Sequence, residues 1–346
     1  MPKAEAKKLV QVLDGTAVSP PPVWLMRQAG RYLPEYRALR SKAGSFWTMC
    51  MDPEMAAEIT LQPIRRYDLD AAIVFSDILV IAYALGATVR FEEGVGPLLT
   101  RYEEITQVDR EPRSWRQKLA PVYDTLGLVR AGLPSAKTLL GFAGAPWTLA
   151  TYLAEGGGST DQRAAKLWGY RHPESFAELL VLLGECVADH LIEQLKAGAD
   201  AVQIFDSWAS GLSADCFEDW VIAPTQRIVT RVRKQIPDAR IIGFPRGATL
   251  EGYRRYAEAC GVNAVSLDTA VPLDWAVEKL SPFCAVQGNL DPLLLLAGGQ
   301  RLTRKVRESR ALTAGKAFIF NLGHGVVPQT PPEHVGAFLE AVRAPL

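Results

Sequence analysis

Short apolar runs recur along this chain and alternate with longer amphipathic stretches. The runs are nearly continuous in Val, Ile, Leu, Phe and Ala, which is typical of parallel strands that are buried on both faces. An alternation of strand and helix without interruption predicts a parallel sheet with helical crossovers. We find eight such runs, at residues 23–26, 71–78, 137–144, 199–207, 239–247, 262–270, 283–290 and 316–324.

The stretches between the runs have the spacing of amphipathic helices. The clearest helix covers residues 174–197, where apolar side chains recur at helical spacing after Pro173 and before Gly198. Eight strand–helix units predict a single (β/α)8 barrel over residues 1–346, with residues 1–19 as an N-terminal helical extension. A doubly wound open sheet is the alternative. Further helices are expected at 53–68, 114–131, 213–235, 248–260, 273–280, 300–314 and 332–343.

Composition and charge narrow the possible functions. The 38 basic and 38 acidic residues cancel, so no overall positive field exists for nucleic acid or a membrane surface. The five cysteines are odd in number and form no CxxC pair, which disfavours a disulfide framework and a zinc ribbon. The apolar runs are too short to span a bilayer and the N-terminus does not resemble a signal peptide, so we expect a cytoplasmic protein.

Several common catalytic motifs are absent. The sequence contains no GxxxxGK[ST] and no GxGxxG after a strand, which leaves nucleotide binding without support. It also contains no HExxH and no GxSxG, which disfavours a zinc peptidase and a serine hydrolase.

Polar residues follow the predicted strands at the ends where the active site of a barrel lies. We therefore expect their side chains to line one cleft. They are Arg27, Arg31, Ser76, Asp77, Tyr152, Asp206, Ser207, Arg246, Asp268, Asn289, Asp291 and His324.

Arginines are concentrated after the first predicted strand. Arg27, Arg31, Arg37 and Arg40 lie within fourteen residues of a chain that has no net charge. A planar guanidinium binds a carboxylate through two parallel hydrogen bonds, so the cluster predicts a local site for carboxylates. The alternative is a set of solvated arginines that pair with Glu35.

Asp77 and His324 are the most distinctive of the remaining candidates. Asp77 lies in the otherwise apolar AAIVFSDILV, where a carboxylate must be paired, hydrogen-bonded or neutralised. It could accept N–H donors and oppose a cation, or it could form a structural ion pair with a neighbouring strand. His324 lies between two glycines and could donate to an anion, shuttle a proton or be a satisfied barrel histidine.

The other strand-end residues are more ambiguous. Tyr152 and Ser207 offer hydroxyl groups, and each is as compatible with a structural role as with a functional one. Asp206 and Asp268 could act as acids at the strand ends, or they could orient loops.

These residues lie within blocks that resemble the uroporphyrinogen decarboxylase family. The blocks extend in order over roughly residues 20–335, which is essentially the whole chain. A departure is Ser210, where the family pattern has glycine, and this puts the local loop geometry in question. The matching blocks are LMRQAGRYLPEYR (25–37), FSDIL (75–79), GFAGAPWTLATYLAEGGGS (141–159), VQIFDSWAS (202–210), GFPRGA (243–248), VQGNLDP (286–292) and NLGHGVVPQTPPE (321–333).

The resemblance implies a homodimeric barrel that works without a metal or an organic cofactor. It implies that the substrate is uroporphyrinogen III, a cyclic tetrapyrrole with acetate and propionate arms. The four acetates would become methyl groups, giving coproporphyrinogen III and CO2 in porphyrin and haem biosynthesis. It assigns catalytic roles to Asp77, Arg27 and Arg31. The implied substrate-binding positions are Arg27, Gln28, Ala29, Gly30, Arg31, Arg40, Asp77, Tyr152, Ser207 and His324.

These residue types suit that chemistry. A pyrrole that is protonated at an α-carbon becomes its own electron sink, so loss of CO2 requires no external sink. The carboxylate arms call for arginines, and the transient ring cation calls for a fixed carboxylate such as Asp77. We expect Asp77 to be ionised, because N–H donors and nearby arginines favour the charged form. The proton donor stays open between Arg27, Arg31 and a water molecule.

Two other functions stay open at this point. One is a zinc-dependent methyl-corrinoid methyltransferase on a related barrel, which would need a thiolate-rich site; the sequence contains no His-x-Cys. The other is a tetrapyrrole-binding protein without catalytic activity.

Overall fold

The structure is a computed structural model that describes residues 7–92 and 94–345. Within these residues, seven parallel strands form one curved sheet, and a separate antiparallel hairpin follows the first of them. In chain order the strands are β1 (Ala71–Ile73), the hairpin strands β2 (Val89–Glu92) and β3 (Gly96–Leu99), then β4 (Thr138–Gly144), β5 (Ala201–Asp206), β6 (Ile241–Pro245), β7 (Ala264–Ser266), β8 (Ala285–Leu290) and β9 (Phe318–Leu322).

The strand order distinguishes between the two predicted architectures. The hydrogen-bonded neighbours are β1, β4, β5, β6, β7, β8 and β9, in chain order and all parallel. A doubly wound sheet reverses its strand order at a switch point, so that alternative is wrong for the described residues. Seven of the eight predicted strands are confirmed.

The first apolar run does not form a regular strand. Val23 makes a single parallel bridge to Phe320, and Phe320 N donates to Pro22 O (2.8 Å). On its other side, Val23 O accepts from Asp70 N (2.9 Å), just before β1. The prediction of a strand at 23–26 is therefore wrong: Pro22 has no N–H to donate, and the Asp70 carboxylate takes the Val23 N–H (2.9 Å). This segment nevertheless lies between the two edge strands of the sheet.

Helices follow the strands and pack on the outside of the sheet. All of the predicted helices are confirmed, with a short π-helical stretch at Glu218–Ile222 inside the one predicted at 213–235. In chain order the helices are α1 (Lys8–Leu13), α2 (Pro34–Ala43), α3 (Phe46–Met51), α4 (Pro53–Arg66), α5 (Val80–Ala84), α6 (Pro112–Gly132), α7 (Pro146–Glu155), α8 (Arg163–Arg171), α9 (Pro173–Lys196), α10 (Ala214–Phe217), α11 (Ala223–Gln235), α12 (Leu250–Ala259), α13 (Leu273–Lys279), α14 (Pro292–Ala297), α15 (Gly299–Leu312) and α16 (Pro332–Arg343).

The inside of the curved sheet holds a buried polar network. Trp24 Nε1 donates to Gln287 Oε1 (2.9 Å), and Gln287 Nε2 donates to Gln203 Oε1 and Ser266 Oγ (both 3.0 Å). All four side chains are fully buried. The network therefore joins β5, β7 and β8 to the segment that precedes β1.

Helix α1 covers this interior at the N-terminal ends of the strands. Leu9, Val12 and Leu13 are buried in the apolar cluster that fills the inside of the sheet. Asn263 Nδ2, just before β7, donates to Leu13 O (3.1 Å). The predicted N-terminal helix is confirmed here, while residues 1–6 lie outside the described part of the chain. The opposite ends of the strands are left for the site.

Candidate active site

Two loops bring Arg27 and His324 to the same end of the sheet. Met26 N donates to Asn321 Oδ1 (3.0 Å), and Val326 N donates to Met26 O (2.9 Å), so the loops run side by side. Arg27 adopts a left-handed backbone conformation with φ of 59°. Its side chain lies directly over Gly325, where a Cβ atom would be 2.3 Å from Arg27 Cδ. The absence of a Cβ atom at Gly325 therefore allows the Arg27 side chain to approach closely.

Arg27 is the residue around which the predicted site residues meet. Its side chain is accessible to solvent, yet burial by the surrounding protein lowers its pKa. Asp77 and Tyr152 act against this and raise the pKa of Arg27, whereas repulsion by Arg31 and Arg246 lowers it further. A side chain that is both accessible and densely surrounded lines a cleft. The described residues place no carboxylate within ion-pair distance of Arg27.

Asp77 lies in the loop between β1 and α5. Its Oδ1 accepts a hydrogen bond from Leu79 N (2.8 Å), and no cation of the described chain forms an ion pair with it. The alternative of a structural ion pair is therefore wrong. Burial raises the pKa of Asp77, while the Leu79 N–H and the charge of Arg27 lower it; the balance is upward. The predicted arginine is present, and the expectation that Asp77 is ionised stays a prediction.

Tyr152 reaches the cleft from α7. Its ring packs edge-on against Trp208, with the ring centroids 5.7 Å apart. Burial raises the pKa of Tyr152, and the carboxylate of Asp77 raises it further. Tyr152 is therefore a neutral hydroxyl close to both Asp77 and Arg27.

His324 is a neutral imidazole in this cleft. Burial lowers the pKa of His324 to about 4, and the positive charges of Arg27 and Arg246 contribute. A neutral imidazole has one N–H to donate, so it suits hydrogen bonding to a carboxylate arm better than proton transfer near neutral pH. Within the described residues, the His324 ring has no hydrogen-bond partner, which is inconsistent with the alternative of a satisfied barrel histidine.

The other arginines of the predicted cluster differ in their contacts. Glu35 forms a bidentate ion pair with Arg66 (2.7 and 2.8 Å), so the alternative in which it neutralises the cluster is wrong. Arg37 donates to the carbonyls of Arg31 and Tyr32 (both 2.9 Å) and stabilises the turn before α2. Arg31 itself is exposed, and its charge acts on Arg27.

Arg40 approaches the cleft from α2. Its positive charge lowers the pKa of the buried Tyr36 and Cys50 against the larger effect of burial. Asp77 acts on the same Cys50 thiol and raises its pKa. Arg40 is half-buried, and its assignment to the substrate site stays a prediction.

The side chains of the residues between Arg27 and Arg31 contact the loop and the core rather than the cleft. Gln28 is fully buried; its Oε1 accepts from Leu25 N and its Nε2 donates to Ala71 O (both 3.0 Å). Backbone groups therefore use both ends of the side-chain amide, and the implied binding of substrate at Gln28 stays a prediction. Ala29 packs against the core. A Cβ atom on Gly30 would lie 3.0 Å from Arg27 O.

Ser207 and Arg246 come from neighbouring strand ends. Arg246 Nη1 lies 3.5 Å from Ser207 O, and both residues are half-buried. The sequence predicted that Arg246, as a strand-end residue, lines the cleft, but did not include it among the substrate-binding positions. Its position after β6, next to a glycine, was the signal that could have placed it there.

Asp206 and Asp268 orient loops, as one of the two interpretations predicted. Asp206 accepts from Thr148 Oγ1, whose oxygen also accepts from Trp208 N (3.2 Å). Burial raises the pKa of Asp206 to about 7. Asp268 Oδ2 accepts from Gly247 N (2.7 Å), and its Oδ1 accepts from Ala270 N (2.8 Å).

Two further features of the described residues concern metals and membranes. No group of three or more His, Cys, Asp and Glu side chains has an arrangement that could hold a metal ion. No helix there is both long and apolar enough to cross a membrane. All five cysteines are free thiols, and four of them are buried.

Fold and site together define an α/β protein with a cation-rich cleft that also contains the half-buried carboxylate of Asp77. The family model described as uroporphyrinogen decarboxylase matches residues 4–345. A protein from Chelativorans sp. named uroporphyrinogen decarboxylase is 52% identical over 337 residues, covering 97% of this chain and 98% of its own. A protein of the same name from Rhodospirillum rubrum is 49% identical, and the match covers 100% of this chain and 99% of that protein. The chain belongs to the uroporphyrinogen decarboxylase family.

One solved structure has a similar fold at low sequence identity. A methyltransferase from Methanosarcina mazei superimposes with a TM-score of 0.79 and covers 97% of each chain. The two sequences are 20% identical, so this likeness concerns the fold alone.

Proposed function

We propose that this chain removes CO2 from the four acetate arms of uroporphyrinogen III and thereby forms coproporphyrinogen III in porphyrin and haem biosynthesis. Family membership at about half identity over the full chain supports this function. The observation that carries it is the cleft, where the carboxylate of Asp77 has no ion pair and faces Arg27 and Tyr152. The likeness to a methyltransferase concerns the fold, so it does not favour the alternative function.

The arginines fit a substrate that carries eight carboxylates. Arg27 and Arg31 have no carboxylate partner in the described chain. A substrate arm can supply the missing anion through charge-assisted hydrogen bonds. The neutral His324 and Tyr152 can donate to further arms, and Ser207 offers another hydroxyl.

Asp77 fits the reacting pyrrole. Protonation of an α-carbon makes the ring cationic, and the electron pair of the C–CO2 bond then moves into the ring as CO2 leaves. The exocyclic methylene takes up a proton to become methyl, and the α-carbon loses its proton. A carboxylate that accepts the pyrrole N–H groups opposes the ring cation in the transition state. These donors and the cation also counteract the upward shift in the pKa of Asp77, because both favour its charged form.

The architecture that we propose is a single closed (β/α)8 barrel domain. Residues 23–26 would take the place of the eighth strand, which their bonds to both sheet edges support. We also propose that the protein acts in the cytoplasm as a homodimer, with Arg27 and Arg31 positioning the reacting acetate and no metal or organic cofactor taking part.

The function is tested with purified, metal-free protein and uroporphyrinogen III under anaerobic conditions. We expect the eight-carboxyl species to disappear and products with seven, six, five and finally four carboxyls to form. Asp77→Asn should lower kcat by about a hundredfold or more, because one preorganised electrostatic contact is lost. Arg307→Gln, an exposed change on α15, is the matched control.

The outcomes separate the possible functions. Tight substrate binding without turnover would favour a binding protein. An Asp77→Asn enzyme with nearly wild-type turnover would remove Asp77 from the mechanism but leave the reaction itself in place.

A further inference from the structure

Arg246 is a charged residue at the end of β6 that the mechanism above does not require. Its guanidinium approaches Ser207 O (3.5 Å), and its positive charge acts on both Arg27 and His324. Three predicted substrate-site residues, each from a different strand end, therefore surround it. A residue in this position can contact a ligand that is bound in the cleft.

The turn that carries Arg246 is firmly held. Arg246 N donates to Asp206 O and Phe244 O (both 3.0 Å). Gly247 N donates to Asp268 Oδ2 (2.7 Å), which also accepts from Tyr253 OH (3.1 Å). A group held on a preorganised turn loses little conformational freedom when a ligand binds.

The acids near this turn do not neutralise Arg246. Asp206 faces Thr148, and Asp268 is occupied by Gly247 and Tyr253. Across the described chain, Arg246 forms no ion pair with Asp or Glu. A half-buried guanidinium without an anionic partner creates a favourable position for a carboxylate from outside the protein.

Arg27, rather than Arg246, is the arginine that we expect beside the reacting pyrrole. The charge of Arg27 lowers the pKa of Asp77 against the larger effect of burial, so Arg27 is the arginine placed beside the reacting group.

We propose that Arg246 binds a carboxylate arm of the substrate other than the acetate that reacts beside Asp77. This inference rests on the proposed function and adds a substrate-binding residue to it. Asp268 and Tyr253 are then positioning residues, which act through the turn at Gly247.

Steady-state kinetics on uroporphyrinogen III test the proposal. Arg246→Gln should raise KM by about tenfold or more, the effect of one lost charge-assisted hydrogen bond, and should change kcat much less. Arg246→Lys should restore part of the loss, because it keeps the charge but not the planar fork. Arg304→Gln, an exposed arginine on α15 without an ion pair, is the matched control and should behave like wild type.

A second readout does not need substrate. Arg246 lowers the pKa of His324, so Arg246→Gln should raise that pKa from its value of about 4 in an NMR titration of the imidazole. An unchanged pKa would show that Arg246 is too far from His324 to share its cleft. Thermal unfolding of each variant shows whether the fold is intact.

The results separate this inference from the proposed function. Wild-type protein without turnover would overturn the proposed function and this inference with it. An active wild type with an unchanged KM in a folded Arg246→Gln variant would overturn the inference alone. A raised KM together with a raised His324 pKa supports it.

Discussion

At the scale of single residues, the position of Arg27 depends on a neighbour that has no side chain. The Arg27 stem lies on Gly325, and a Cβ atom there would come within 2.3 Å of Cδ and 2.6 Å of Cγ. Gly325 does not adopt a left-handed conformation, so an alanine is compatible with its backbone. Its function is to leave space for the arginine.

We predict that Gly325→Ala displaces Arg27 and lowers kcat/KM by about a hundredfold, the usual cost of misplacing a reacting group by an ångström. The variant should remain folded, because the arginine stem can move toward the open cleft. Kinetics and circular dichroism measured together check this. Gly336→Ala, in α16 with nothing within 4 Å of the new methyl group, is the control and should retain full activity. Full activity in Gly325→Ala would show that Arg27 tolerates another position.

The sequence was sufficient to predict the residues whose chemistry conflicts with their surroundings. Asp77 in an apolar run and His324 between glycines were identifiable because few structural roles suit them. The direction of the Gln28 side chain, which points back into the loop, could not be predicted, because a match to a binding block gives no side-chain direction. The rise in the pKa of Asp77 was also missed, since the depth of burial depends on the whole fold.

At the scale of elements, helix α1 closes one end of the sheet while the site lies at the other. Its apolar face is buried inside the sheet, and Asn263 bonds its last turn to the start of β7. Stability and activity should therefore be separable by mutation at the two ends.

We predict that Leu13→Ala lowers the free energy of unfolding by about 2–5 kcal/mol, the range for a buried leucine that leaves a cavity. The kcat and KM of the folded variant should stay close to wild type, because α1 does not contact the cleft. Urea denaturation and kinetics at a low temperature measure the two quantities. Lys8→Ala, an exposed change on the same helix, is the control and should be nearly neutral. A large change in KM for Leu13→Ala would contradict the separation.

Elements with a clear hydrophobic pattern could be predicted from the sequence, whereas the hairpin could not. The strands and long helices are specified by local hydrophobic patterns, and these were correctly assigned. The hairpin of β2 and β3 was missed, although Gly94 in its turn and Gly96 at the start of β3 were a signal, because its stabilising contacts are distant. Leu99 N donates to Gly156 O (2.9 Å) and Tyr102 N donates to Leu153 O (2.8 Å), at the end of α7.

At the scale of the whole molecule, charge is balanced overall but not locally. The 38 basic and 38 acidic residues give no net charge, and many of them form ion pairs on the surface, such as Arg66 with Glu35. The cleft instead gathers arginines without carboxylate partners around Asp77. Selective binding of a polyanion by a neutral protein therefore depends on this local field rather than on long-range attraction.

We predict that KM for uroporphyrinogen III rises steeply with NaCl between about 0.05 and 0.5 M, because screening weakens exposed charge pairs such as those of Arg27 and Arg31. The value of kcat should change much less, because Asp77 is half-buried and the bound ring excludes water from it. The four-carboxyl product, measured as a competitive inhibitor, is an internal control: it has half as many charges, so its inhibition constant should depend less on salt. Equal salt dependence for both ligands would show that the arginines do not respond to the number of carboxylates, and binding would then have to be attributed to the apolar walls of the cleft.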